Sequence, residues 1–208
     1  MDAPLVCVVD DDDAVRISIG LLIETLGLPV RGFSSALDVL EDAEVLKRAH
    51  CLVLDVRMPG LSGVGLQERL ARLGHSAPII FVSGHGDVPM VARAMRSGAF
   101  DFLQKPFNEQ VLLDRVQEAV QLAAQRRREG AWRADIQRKL DALTLRERDV
   151  MEGMVAGRLN KQIAEELGIS MKTVEQHRAR VMEKLHVESL AELVRIVTRS
   201  QWWDDFAG

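Results

Sequence analysis

Five short apolar runs recur along the first half of the chain: LVCVV (5–9), PVRGF (29–33), CLVLD (51–55), PIIFV (78–82) and FDFL (100–103). Each is followed by a longer stretch of mixed polarity, 13–27, 34–48, 63–73, 87–97 and 108 onward. Runs too short for helices alternate with segments of helical length, which predicts strand and helix alternating five times. Continuous apolarity at 5–9, 52–54 and 79–82 suits strands covered on both faces. The expected fold is α/β, a doubly wound five-stranded parallel sheet.

After Asn108 the period changes. No proline occurs up to Leu143, and only Gly130 interrupts a helical pattern in which Trp132, Ile136, Leu140 and Leu143 share one face. That face either packs on its own domain or forms a short coiled coil with a second copy. From 144 to 200 no strand pattern remains. Thr144 with Glu147 and Ser189 with Glu192 match the capping box, and Gly157 and Gly168 are natural stops, so four short helices are predicted. The expected domains are therefore 1–121, a helical linker over 122–143, and an all-α domain over 144–208, whose acidic tail carries Trp202 and Trp203.

Composition changes this picture little: 208 residues, 47% hydrophobic and 28% charged, are enough for one large globular domain or two small ones. Charge adds an asymmetry. Residues 1–120 hold 11 Lys/Arg against 17 Asp/Glu, whereas residues 121–208 hold 16 against 14, so the two parts are expected to meet different partners. Cys7 and Cys51 sit in apolar runs with no second ligand at metal spacing and are expected to be buried and reduced. No apolar stretch approaches the roughly 20 residues that cross a bilayer, and the acidic start lacks the positive end of a signal peptide. The expectation is a cytoplasmic protein without a membrane partner.

The chemistry lies at the strand ends. In an open parallel sheet, ligands bind beyond the carboxyl ends of the strands. Here the first strand is followed by Asp10, Asp11, Asp12 and Asp13, the third ends in Asp55, the fourth is followed by Ser83, and the fifth by Gln104, Lys105 and Pro106. Asp12 and Asp13 are expected to cap the next helix. The remaining carboxylates would repel one another, and such a group invites a hard divalent cation, with Mg²⁺ the best fit. Asp55 would then attack a phosphoryl group, and Lys105 and Ser83 would hold its oxygens.

The segments VVDDDDAVR, LVLDVRMPGLSG, FVSGHGD and DFLQKPF together resemble the flavodoxin-like receiver domain of two-component response regulators, over residues 4–121. The resemblance implies that Asp55 is the phosphoacceptor. It further implies that Asp11, Asp55 and the backbone carbonyl of Arg57 bind Mg²⁺ directly while Asp10 acts through a metal-bound water. Ser83 and Lys105 become the phosphate-sensing pair, and Phe102 the aromatic that turns inward when Ser83 moves. Haloacid-dehalogenase-type phosphatases also attack phosphate with an aspartate after a buried strand, but they need a second acid two residues later, where this chain has Arg57. The chain is accordingly read as a regulator and not an enzyme.

Residues 160–185, NKQIAEELGISMKTVEQHRARVMEKL, carry a helix-turn-helix pattern. Ala164 is small where helices cross, Gly168 makes the turn, Ser170 can cap the second helix, and Ile163, Leu167, Ile169, Val174 and Val181 supply apolar contacts. The other face shows Lys172, Gln176, His177, Arg178, Arg180 and Lys184, suited to phosphates and base edges in a major groove. The alternatives are a plain four-helix bundle whose charges are merely solvated, since residues 144–200 hold 10 basic and 9 acidic side chains, and a helical module that binds protein and no DNA.

The stretch LTLRERDVMEGMVAGRLNKQIAEELGISMKTVEQHRARVMEKL resembles the LuxR-type DNA-binding domain, and the whole chain, with GHGDVPM in its receiver, resembles the FixJ lineage. By that resemblance Lys161, Thr173, His177, Arg178 and Lys184 touch backbone phosphates, while Glu175, Gln176 and Ala179 face bases. The implied partners are a cognate sensor histidine kinase, double-stranded promoter DNA, a second copy of the phosphorylated chain, and RNA polymerase.

Overall fold

The computed structural model describes residues 3–84, 88–200 and 202. The chain forms two compact units, Met1–Arg127 and Arg128–Gly208. The expected helix start at residue 87, the His85–Asp87 part of the GHGD motif, and Trp203 lie outside the described residues.

In the first unit, β1 (Leu5–Val9), β2 (Val30–Phe33), β3 (Ala49–Asp55), β4 (Ile79–Ser83) and β5 (Asp101–Gln104) form one sheet in the order β2-β1-β3-β4-β5. Every neighbouring pair is parallel. Side chains alternate between the faces, so each strand serves two cores. Cys7, Leu52, Leu54 and Phe81 pack on one side with α4 (Gly63–Arg72) and α5 (Val88–Arg96). Val6, Val8, Cys51, Val53 and Ile80 pack on the other with Ile19 and Ile23 of α1 (Asp13–Glu24) and with Leu112, Val116 and Ala119 of α6 (Glu109–Asp141). The two cysteines therefore face opposite cores. Burial pushes the Cys7 thiol up to about 12 and Cys51 higher still, so both stay protonated.

One element differs from expectation. The helix predicted over 34–48 is two, α2 (Ala36–Glu41) and α3 (Ala43–Arg48), broken at Asp42. The Asp42 carboxylate accepts the Val45 backbone N–H at 3.1 Å, and this local cap outcompetes helix continuation.

The predicted apolar face of the linker is covered from its own unit: Ile136, Leu140 and Leu143 belong to the core of the second unit, and Trp132 remains 37% exposed. That core is completed by α7 (Leu145–Val155), α8 (Asn160–Leu167), α9 (Met171–Leu185) and α10 (Leu190–Val197). Thr144 and Glu147 form the predicted capping box, a device worth about 1 kcal/mol. The second box is half made: Ser189 accepts from the Glu192 backbone, but Glu192 reaches to the Glu188 N–H instead. Gly168 takes the left-handed conformation (φ 64°) that ends α8 and sets the turn into α9.

Candidate functional site

The strand order reverses between β1 and β3, and the crevice above such a switch point is where a doubly wound sheet binds ligands. Asp10 follows β1 directly and Asp55 is the last residue of β3, so the fold brings both carboxylates to that crevice. Lys105, one residue beyond β5, reaches in from across the sheet. Its ammonium donates to Asp10 Oδ2 at 2.7 Å and to Asp55 Oδ1 at 3.3 Å. Two nearly buried carboxylates thus share one cation, with side-chain exposures of 4% and 10%.

Burial pushes the Asp55 carboxyl above its ordinary value, and the Asp10 charge adds to this. The Arg57 backbone N–H, 2.6 Å from Asp55 Oδ2, and Lys105 pull the other way without cancelling it. Burial works against the Lys105 charge, yet its bonds to Asp10 and Asp55 dominate and hold it above the usual lysine range. One positive charge does not balance the acidic side chains gathered here. That imbalance suits a small dication: Mg²⁺ takes one or two carboxylates, retains several waters, and accepts a backbone carbonyl. Among the described residues no three Asp, Glu, His or Cys side chains converge on one point, so a fit rests on two carboxylates and the Arg57 carbonyl. Asp11 is exposed, and it shares with Arg57, Met58, Pro59 and Met90 the wall of an open cavity of about 730 Å³.

Ser83 ends β4, is 2% exposed, and pairs in register with Gln104; its carbonyl accepts the Lys105 N–H at 2.9 Å. Phe102 on β5 is half-buried, its ring centroid 6.3 Å from that of Phe81. Asp12 caps α1 by accepting the Ala14 and Val15 N–H groups, and Asp13 is in its first turn.

Two further residues, which sit in the quoted motifs without an expected role, support the site. Arg16 donates to the Asp10 carbonyl at 2.7 Å and pairs with Asp13, fixing the loop after β1. Its spacing of three from Asp13 on a helix was the available signal. Gly63 opens α4 against the end of β3, and a Cβ there would lie 2.2 Å from the Asp55 carbonyl oxygen. Nothing in the local pattern announces that contact.

In the second unit α9 is capped by Ser170, which accepts the Thr173 N–H, and buries Val174, Val181 and Leu185. Lys172, Glu175, Gln176, Ala179 and Arg180 are exposed on it, as is Lys161 on α8, with its ammonium 3.9 Å from Glu165. Thr173, His177 and Arg178 are half-buried, and the His177 Nδ1 is buried with no hydrogen-bond partner among the described residues. Lys184 stands apart from these. Its ammonium donates to Glu147 Oε2 at 2.6 Å and to the Ala142 carbonyl at 3.1 Å, ties internal to this unit. Glu147 is 2% exposed. Burial raises its pKa, but the bonds from Lys184 and Thr144 win and hold it below the ordinary carboxylate range.

Both units resemble known proteins. Residues 6–117 match the response regulator receiver domain family, and residues 141–197 match the luxR family of bacterial regulatory proteins. The chain is 43% identical to response regulator protein TmoT of Ectopseudomonas mendocina, over 94% of this chain and 88% of that protein. It is 44% identical to transcriptional regulatory protein FixJ of Azorhizobium caulinodans, over 91% of this chain and 89% of that one. Among solved structures, the response regulator StyR superposes with a TM-score of 0.86 at 44% identity, covering 95% of this chain and all of that one.

Proposed function

The chain belongs to the FixJ-like transcriptional response regulators, which join a receiver to a LuxR-type DNA-binding domain, and from that premise we propose that Asp55 is its phosphoacceptor and α9 its DNA-reading helix. The observation that carries the reading is the Asp10–Lys105–Asp55 group. A buried carboxylate lies at a switch point, with a shared ammonium beside it and more negative charge than that ammonium offsets.

The donor is the phosphohistidine of a sensor histidine kinase. An Asp55 carboxylate oxygen attacks phosphorus, the O–P bond forms as the N–P bond breaks, and the electron pair leaves with the imidazole. Asp11, Asp55 and the Arg57 carbonyl would hold Mg²⁺, with Asp10 acting through a water; when bound, the ion offsets the negative charge of the phosphoryl group. Lys105 already points at Asp55 and moves from a shared carboxylate to the new phosphoryl oxygens, a charge-assisted contact. Ser83 is drawn to the same oxygens. Phe102, packed beside Phe81, follows into the space this opens, and the surface of α5 and β5 changes shape.

That surface then pairs two copies, which sets two α9 helices on a two-fold-related DNA site. Lys161, Lys172, Thr173, His177, Arg178 and Arg180 serve phosphates, and Glu175 and Gln176 face base edges. RNA polymerase is the downstream partner. Lys184, held by Glu147, acts first as a structural cation that fixes the end of α9 and reaches phosphate only secondarily.

Footprinting with and without acetyl phosphate and Mg²⁺ tests the reading. Protection of a promoter site that strengthens on phosphorylation is expected from the wild type and not from Asp55→Asn. Equal protection in both proteins contradicts it, and so does duplex binding that shows no loss between low and moderate salt.

A further inference from the structure

The last residue of the first unit is Arg127, on α6, and its side chain turns back onto that unit. One guanidinium nitrogen, Nη2, donates to both the Lys47 carbonyl and the Ala49 carbonyl at 2.7 Å. The other, Nη1, lies 3.4 Å from His50 Nε2, while His50 Nδ1 is 2.8 Å from the Arg48 carbonyl. One tautomer satisfies both contacts: Nδ1–H donates to Arg48, and the Nε2 lone pair accepts from Arg127. Burial, then the Arg127 charge, hold His50 below its ordinary pKa, so the ring stays neutral as this arrangement requires. The neighbouring Arg126 also donates to the receiver, to the Ser76 carbonyl at 3.4 Å.

Of the two carbonyls that Arg127 takes, that of Lys47 lies in the last turn of α3, at the negative end of that helix. Ala49 is also the first residue of β3, the strand whose last residue is Asp55. A single guanidinium therefore fastens α6 to the foot of the strand that carries the phosphoacceptor at its head. Beyond this point α6 belongs to the other unit, and Gly130, where a Cβ would meet nothing within 4 Å among the described residues, lies three residues on. Glycine is the weakest helix former after proline, so α6 is least stiff just beyond the residue that fastens it.

We propose that Arg127 is a positioning residue that couples phosphorylation to DNA binding, by fixing the root of the output helix to the strand that ends in Asp55. The proposal rests on the function proposed above. Lysine could not replace it fully, because a single ammonium does not reproduce the planar fork.

The test compares wild type, Arg127→Ala, Arg127→Lys and Arg128→Ala as full chains, reading phosphoprotein formation with acetyl phosphate and Mg²⁺ and the ratio of DNA affinities with and without the donor. Arg127→Ala should form phosphoprotein at the wild-type rate yet lose at least about fivefold of the affinity gain, the low end of measured couplings between sites. Arg127→Lys should fall between. Arg128→Ala removes the same charge one residue along and should keep the gain. Hydrogen exchange should rise at Lys47–Cys51 in Arg127→Ala. A full gain in Arg127→Ala overturns the inference even if its Tm falls, and a loss of phosphoprotein in step with the gain overturns it too, since Arg127 would then serve only the acceptor strand. A wild type with no gain at all removes the proposed function itself and this inference with it.

Discussion

Each unit contains buried acid held by a lysine, and the two arrangements have opposite electrostatics. In the helical unit one carboxylate, Glu147, meets one ammonium, Lys184, and the Thr144 cap besides; its pKa is lowered. In the receiver two carboxylates, Asp10 and Asp55, divide one ammonium, and burial keeps the Asp55 pKa raised. The first is satisfied and structural. The second is left with unbalanced negative charge, and that imbalance is what a dication and a phosphoryl group can act upon. The same residue types thus serve stability in one place and reactivity in the other, and the ratio of acids to cations separates the two.

The most damaging way to break the satisfied pair is to remove its cation. Lys184→Met should destabilise the helical unit by about 2 kcal/mol, the low side of what breaking a buried pair costs because a third of Lys184 is exposed. Urea unfolding of wild type and variant checks this, and an unchanged midpoint would remove the structural role given to Lys184. In the receiver the informative change is at an acid, and its effect has the opposite sign. Asp55→Asn relieves a crowded acid while Lys105 keeps Asp10, so without Mg²⁺ the receiver should gain about 1 kcal/mol, seen as a higher Tm.

Acid sharpens the contrast. The Glu147 pKa is lower folded than unfolded, so the unfolded chain takes the proton first. Its stabilisation is complete above the unfolded value of about 4.3 and is lost as pH falls through the lower folded value. Unfolding of the helical unit, followed by circular dichroism, should therefore turn on below about pH 4, and Glu147→Gln should flatten that dependence. The smallest effect expected is at the DNA surface. Arg180→Ala should reduce the salt slope of duplex binding by about one and weaken all sequences alike, whereas Gln176→Ala should change sequence preference with the slope intact.

Much of this was legible in the chain. The five strands and their alternation with helices follow from apolar runs whose length and continuity only a two-faced sheet accommodates, and Asp10, Asp55 and Lys105 could be placed at one edge because parallel strands end together. Three things were not legible. Asp42 breaks a helix that periodicity alone would continue, because a short side chain can cap locally wherever it falls. Lys184 looks like any basic residue of a DNA-reading helix until the fold sets Glu147 against it, 37 residues earlier in the chain. Gly63 and Arg127 act through backbone carbonyls, which carry no sequence identity for a pattern to register.

Unbalanced carboxylates at the switch point make Asp55 a cation-dependent phosphoacceptor, a proposal that intact-mass spectrometry after incubation with acetyl phosphate can decide. One phosphoryl adduct is expected in the wild type with Mg²⁺, none when the cation is chelated, and none in Asp55→Asn. An adduct of equal extent in Asp55→Asn, or in wild type stripped of divalent cations, would contradict it.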